Sequence, residues 1–200
     1  RPERISVGIC AQFCPEEDRD CFEYAPPFPQ QVRASLCHFR ESQGGCWARA
    51  QALALAEGED YVLQIDAHMR FAPGWDEMLI EAIGKCPSER AALTLAAPPY
   101  WPPEKLETVK GRLLIGVSNI GKPDDPQLLH LYRMRWDRRQ SGTELLPCPF
   151  FIANFLFAPA RVFREVPYDP HIYFRGQEPV YSARLWTHGW DLFQPDATIA

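Results

Sequence analysis

"YVLQIDAHMRFAPGWDEML" (Tyr61–Leu79) begins as a short apolar run and ends that run on Asp66-Ala67-His68, with Arg70 just beyond. A run of this length, bounded by polar residues, reads as a buried strand. Pro73 and Gly74 break the chain, and "WDEMLIEAIGKC" then reads as a helix with acids in its first turn and Lys85 near its end. Strand, polar lip and helix together suggest an α/β unit. In such folds ligands bind beyond the carboxyl ends of the strands.

The flanking sequence repeats this alternation. "RISVGICAQF" and "VRASLCHF" read as strands, and "CWARAQALALAEG" as an Ala- and Leu-rich helix stopped by Gly58. "RAALTLAAPP" is a strand ending at prolines. "FFIANFLFAPARVFREV" is either a strand followed by a short helix or two strands. "EPVYSARLWTHG" is a helix stopped by Gly189, and "WDLFQP" a last short strand. The pattern predicts one α/β domain over 1–200 with a mixed, largely parallel sheet flanked by helices. The stretch Pro98–Pro149 shows little periodicity and is expected to form loops around a site, as are the proline clusters at Pro26, Pro27 and Pro29 and at Pro98, Pro99, Pro102 and Pro103.

Composition narrows the function classes. The formal net charge is -5 over 200 residues, which argues against a nucleic-acid or anionic-membrane partner. Arg133, Arg135, Arg138 and Arg139 cluster, and a solvated face accounts for them. No window of about 18 apolar residues is present, so no membrane span is expected. The 7 cysteines include no CxxC pair, which excludes ribbon- and finger-type zinc sites. Reduced thiols in a cytoplasmic protein are expected.

On an extended segment, residues two apart point to the same side, so Asp66 and His68 can converge on one ion. A carboxylate with an imidazole suits Mn²⁺, whereas Mg²⁺ prefers more oxygen. Two protein ligands leave positions open for the oxygens of a diphosphate. The structural alternative is a hydrogen-bonded His68 on a loop. Arg49, Gln64 and Arg70 supply the polar and cationic context a diphosphate needs. Further on, "FRGQEPVYSARLWTHGWD" places Gln177 and Glu178 at a helix start, followed by Arg184, Trp186 and His188. It reads either as an amphipathic helix or as a sugar-binding element in which Trp186 and Trp190 stack on the ligand. The lone histidines His38, His130 and His171 read as packing or surface residues.

Two blocks, "CWARAQALALAEGEDYVLQIDAHMRFAPGWDEMLIEAI" and "REVPYDPHIYFRGQEPVYSARLWTHGWDLFQP", resemble the GlcNAc-transferase family, and "CAQFCPEEDRDCFE" fits it too. The best-known members of that family are cytoplasmic enzymes that add GlcNAc to a hydroxyproline of an F-box ubiquitin-ligase subunit. More distantly, the last block is similar to the acceptor-side loop and helix of mucin-type polypeptide GalNAc-transferases.

The resemblance implies a GT-A fold and UDP-GlcNAc as donor. It also implies a divalent metal, Mn²⁺ or Mg²⁺, held by Asp66 and His68, with a protein or glycan hydroxyl as acceptor and retention of configuration. Arg49 would lie near the nucleotide, Gln177 and Glu178 near the reacting sugar, and Trp75, Asp76 and Trp186 around the pocket. It further implies a strand-helix unit before Arg1 and a strand with a metal-binding histidine beyond Ala200, so that the chain is a fragment of a longer catalytic domain. Family members carry Glu-Glu where this chain has Gln177-Glu178. An amide cannot act as a base, so that work falls to Glu178. Two rivals remain: a non-catalytic sugar- or protein-binding domain that kept the fold, and a metallophosphoesterase, which would need Gly-Asp and Gly-Asn-His elements that are missing here.

Overall fold

The computed structural model describes residues 2–22, 26–97, 112–122, 125–137, 145–195 and 199. The chain divides into two compact units, Arg1–Glu59 with Pro167–Arg175, and Asp60–Val166 with Gly176–Ala200.

In the first unit, β1 (Val7–Phe13) pairs in parallel with β2 (Val32–His38), from Val7 opposite Val32 to Phe13 opposite His38. No side chain of either strand is fully buried. Helix α1 (Gly45–Leu53) packs close to β1: a side chain on Gly8 would lie 2.9 Å from the carbonyl oxygen of Ala52. The helix starts from Gly44, whose φ of 99° suits glycine. A Cβ there would fall 2.3 Å from the Tyr173 carbonyl oxygen, which accepts from the Gly45 amide at 2.8 Å. Polar ties hold the other end of the unit. The Ser6 hydroxyl donates to Glu59 Oε1 at 2.5 Å, and Arg33 binds both Glu59 and, at 3.0 Å, Glu57.

The second unit holds β3 (Tyr61–Ile65), α2 (Trp75–Gly84), β4 (Ala91–Thr94), β5 (Arg112–Lys122), β6 (Asp125–Asp137), β7 (Leu146–Pro147), β8 (Phe155–Pro159), α3 (Arg161–Glu165), α4 (Gln177–Thr187) and β9 (Asp191–Gln194). Five of its strands form a sheet in the order β3-β8-β4-β9-β7. Leu79 and Ile83 of α2 pack on Leu93, Phe155, Phe157 and Phe193 of that sheet. Each of these side chains, fully buried, contributes on the order of 1.5–3 kcal/mol.

The mixed α/β architecture is the one expected. The strand directions differ from expectation. Only β1–β2 and β4–β9 run parallel among the described pairs, while β3–β8, β4–β8, β7–β9 and β5–β6 are antiparallel. A strand buried on both faces reads as the same apolar run in either direction, so composition does not reveal its polarity.

The mid-chain is also corrected: β5 and β6 form an antiparallel pair where loops were expected. Three register shifts interrupt the pair, and such irregularities break the two-residue alternation that marks a strand. The proline run at 98–103 and Arg138 and Arg139 lie outside the described residues. The long apolar segment resolves as strand β8 followed by helix α3.

Candidate functional site

Strand β3 stops at Ile65 because its ladder with β8 ends at the Ile65–Phe155 pair. Asp66 is the next residue. It is half-buried, and its amide donates to the Asn154 carbonyl oxygen at 3.3 Å. Ala67 and His68 then enter a turn, with His68 exposed. The expectation of an extended Asp-x-His is therefore corrected: loss of the partner strand releases the backbone, and the turn orients His68.

The element opposite Asp66 is the stretch Phe151–Phe155, irregular backbone with its alternate residues buried. Such a segment must find hydrogen-bond partners outside a ladder, and side chains from three elements supply them. The Phe151 amide donates to Ser182 Oγ at 2.8 Å, and Ser182 donates in turn to the Glu178 carbonyl oxygen at 2.6 Å. The Ile152 amide donates to Thr94 Oγ1 at 2.9 Å, whose own proton goes to the Phe155 carbonyl oxygen at 2.9 Å. At Ala153 both peptide groups are used. Its amide donates to Glu178 Oε1 at 3.0 Å, and its carbonyl accepts from Gln64 Nε2 at 2.7 Å.

Gln64 and Glu178, on β3 and α4, are thus brought to one residue. Gln64 is only 8% exposed, and its Oε1 and Asn154 Oδ1 are buried without a hydrogen-bond partner among the described residues. An orphaned buried acceptor costs about 1–3 kcal/mol, so two beside one strand end point to a ligand that brings donors or positive charge. Asp66 and His68 bring a carboxylate and an imidazole, donor types that a divalent cation accepts. Among the described residues no third His, Cys, Asp or Glu joins Asp66 and His68 in a metal-sized cluster.

Helix α4 begins after Gly176, whose φ of 87° turns the chain into it. Gln177 is buried and Glu178 half-buried in its first turn, where a carboxylate meets the positive end of the helix. Further along, Arg184 is half-buried, while Trp186 is 75% exposed. His188 ends the helix, with Nδ1 2.7 Å from the Arg184 carbonyl oxygen. That contact gives it a capping role.

Of the two readings open for Trp190, packing rather than stacking on a ligand is the one realised. It is buried at 1% exposure between Arg90 and Arg161, its indole N–H donating to Glu165 at 3.1 Å. Trp75 starts α2 and packs on Phe71 at 4.8 Å between ring centres, with Asp76 and Arg70 half-buried nearby in sequence. Arg49 belongs to the first unit, on α1, and its charge opposes the burial that raises the Cys46 thiol pKa. Sequence reading missed Thr94, Ser182, Ala153 and Asn154. Only the Asn in "FFIANFLF" and the Thr in "RAALTLAAPP" gave a signal, as lone polar residues in apolar runs.

A family model described as glycosyltransferase (GlcNAc) matches residues 11–200. The chain belongs to that family. No curated relative matches it. Among solved structures, GalNAc-T7 with UDP, GalNAc and Mn²⁺ is similar, with a TM-score of 0.66 at 16% identity over 98% of this chain. The chain spans 37% of that protein's length. The likeness establishes for this GlcNAc-family chain the mixed α/β fold of a GalNAc-transferase. No helix among the described residues is long and apolar enough to cross a membrane.

Proposed function

We propose that this chain is the donor-handling part of a UDP-GlcNAc-dependent glycosyltransferase that moves GlcNAc to a protein or glycan hydroxyl. The protein hydroxyl considered first is hydroxyproline, as in the best-known family members. The observation that carries the reading is the Gln64–Ala153–Glu178 relay beside Asp66, with two orphaned buried oxygens, in a chain of the GlcNAc family.

Asp66 and His68 hold a divalent cation in this reading, and a bound cation offsets the charge on the departing diphosphate. Glu178 spends one oxygen on the Ala153 amide. That bond fixes the carboxylate relative to the Ala153–Asn154 backbone and leaves the second oxygen for the sugar or the acceptor proton. Gln177 contributes amide hydrogen bonds and no base. Gln64 and Asn154 orient donor hydroxyls through their free oxygens. Arg70 pairs with the diphosphate. Arg184, Trp186, Trp75 and Asp76 contribute to donor and acceptor binding, and His188 supports the end of α4. Transfer with retention of configuration is part of this reading.

Gln177 also favours a second reading, a sugar- or protein-binding domain without turnover. Calorimetry of UDP with Mn²⁺ and assay of UDP-GlcNAc hydrolysis separate the two. Binding with hydrolysis supports the enzyme, and binding alone supports the module. Absence of Mn²⁺-dependent UDP binding by a full-length protein removes both nucleotide readings. Asp66→Ala is expected to abolish metal-dependent UDP binding while costing no more than about 1 kcal/mol of stability, because a half-buried residue past a strand end packs little.

A further inference from the structure

We infer that Cys14, Glu16 and His38 form a binding site for a borderline divalent cation of the zinc class, built entirely within the first unit. The ligand atoms of these side chains all lie within 4.8 Å of one another. Cys14 Sγ is 3.1 Å from Glu16 Oε2. Zinc-ligand bonds of about 2.0–2.3 Å place ligand atoms roughly 3.3–3.8 Å apart around a tetrahedral ion. The Cys–Glu pair is already near that spacing, and the exposed Glu16 side chain is able to swing to complete it.

The backbone that carries the three ligands is organised. Phe13 and His38 are paired across the parallel ladder, so Cys14 and His38 leave or end adjacent strands at the same level. Cys14 opens a tight turn. Its amide donates to Asp18 Oδ2 at 2.8 Å, and its carbonyl accepts from Glu17 at 3.1 Å and Asp18 at 2.8 Å. Pro15 stiffens the turn at φ. Two of the ligands therefore sit on one pinned turn and the third on the neighbouring strand. On the imidazole, Nδ1 accepts from the Arg40 amide at 3.2 Å, so the lone pair is on Nδ1 and the proton on Nε2. An ion bound at Nδ1 replaces that long hydrogen bond, and the Arg40 amide, in an exposed residue, turns to water.

The donor set selects the metal. Thiolate and imidazole favour zinc, cobalt or nickel over magnesium and calcium. Three protein ligands leave a fourth position for water or a substrate oxygen. The thiol proton that now points at Glu16 leaves on binding: M²⁺ plus Cys–SH gives M–S–Cys and one H⁺. Glu16, Glu17 and Asp18 add negative charge around the turn. The motif differs from ribbons and fingers because its ligands come from a turn and a strand end instead of paired CxxC knuckles. The absence of such pairs therefore did not exclude it.

Co²⁺ tests the site without reference to turnover, since a Cys–Co²⁺ bond gives a thiolate-to-metal charge-transfer band that the Asp66–His68 pair, lacking sulfur, cannot produce. The full chain under a phosphine reductant should develop the band to one equivalent, lose it on addition of Zn²⁺ and release one proton per ion. Cys14→Ser should remove the band. Glu16→Gln, at an exposed position that leaves the fold intact, and His38→Ala should each weaken binding by about tenfold or more. Asp66→Ala should keep the band. A wild-type chain without the band overturns the inference, as does a band that survives Cys14→Ser or an affinity unchanged in both Glu16→Gln and His38→Ala.

Discussion

The ladder of β1 and β2 and the sheet around β8 are both made of short apolar runs, yet they are held by different forces. Strand β8 is buried along Phe155–Ala158, with Leu156 and Phe155 wholly enclosed. Strands β1 and β2 contain no fully buried residue, and Val7, Ile9 and Leu36 are exposed. The first case is stabilised by transfer of apolar surface out of water. The second relies on the ladder, the seat of α1 on Gly8 and the polar knot of Ser6, Arg33 and Glu59. Equal hydrophobicity in the sequence therefore does not mean equal burial.

The largest expected effect breaks the buried side. Phe155→Ala should cost about 3–5 kcal/mol in urea unfolding, whereas Ile9→Ala in the exposed ladder should cost under about 1 kcal/mol. Equal losses would mean that the two regions are stabilised alike. A smaller effect tests the clamp on Phe151–Phe155. Thr94→Val keeps the shape but strands the Ile152 amide and the Phe155 carbonyl, with an expected loss of about 1–3 kcal/mol. Metal-dependent UDP binding should weaken along with it. A neutral Thr94→Val would show that the clamp is dispensable.

The smallest effect sharpens the polar side. The Ser6 hydrogen bond, helped by the backbone amides of Glu57 and Glu59 and by Arg33, pulls the Glu59 carboxyl pKa down to about 2. A depressed folded-state value stabilises the fold above the ordinary carboxyl range, and that stability is lost as pH falls toward about 2. Partial exposure and screening keep the contribution to about 1 kcal/mol. Urea midpoints measured from pH 5 downward should fall more steeply for the wild type than for Glu59→Gln. Parallel curves would assign the knot no energetic role.

Much of the architecture was legible beforehand, and the exceptions have physical causes. Strands β1, β2, β3, β4 and β9 and helices α1, α2 and α4 follow from local pattern, with positive-φ breakers at Gly74, Gly176 and Gly189; α1 ends at Leu53, short of the stop expected at Gly58. The pair β5–β6 was hidden by its register shifts. At the site, Asp66, Gln64 and Glu178 stood out as polar residues at the ends or starts of apolar elements. Ala153, Thr94 and Ser182 did not, because their part is played through backbone groups or through hydroxyls inside ordinary-looking elements. Trp190 read equally as a ligand platform or a packing residue, and is a core residue.

By itself the sequence determined most of the strands and helices outside the mid-chain, and which polar side chains sit at their ends, since both depend on neighbours along the chain. Tertiary structure alone decided that β8 runs antiparallel between β3 and β4, that Gln64 and Glu178 meet at the Ala153 peptide, and that Cys14 and His38 end side by side. Those outcomes depend on pairing between residues 20 or more positions apart. Hydrophobic pattern records whether a residue is buried, but leaves open which distant backbone buries it.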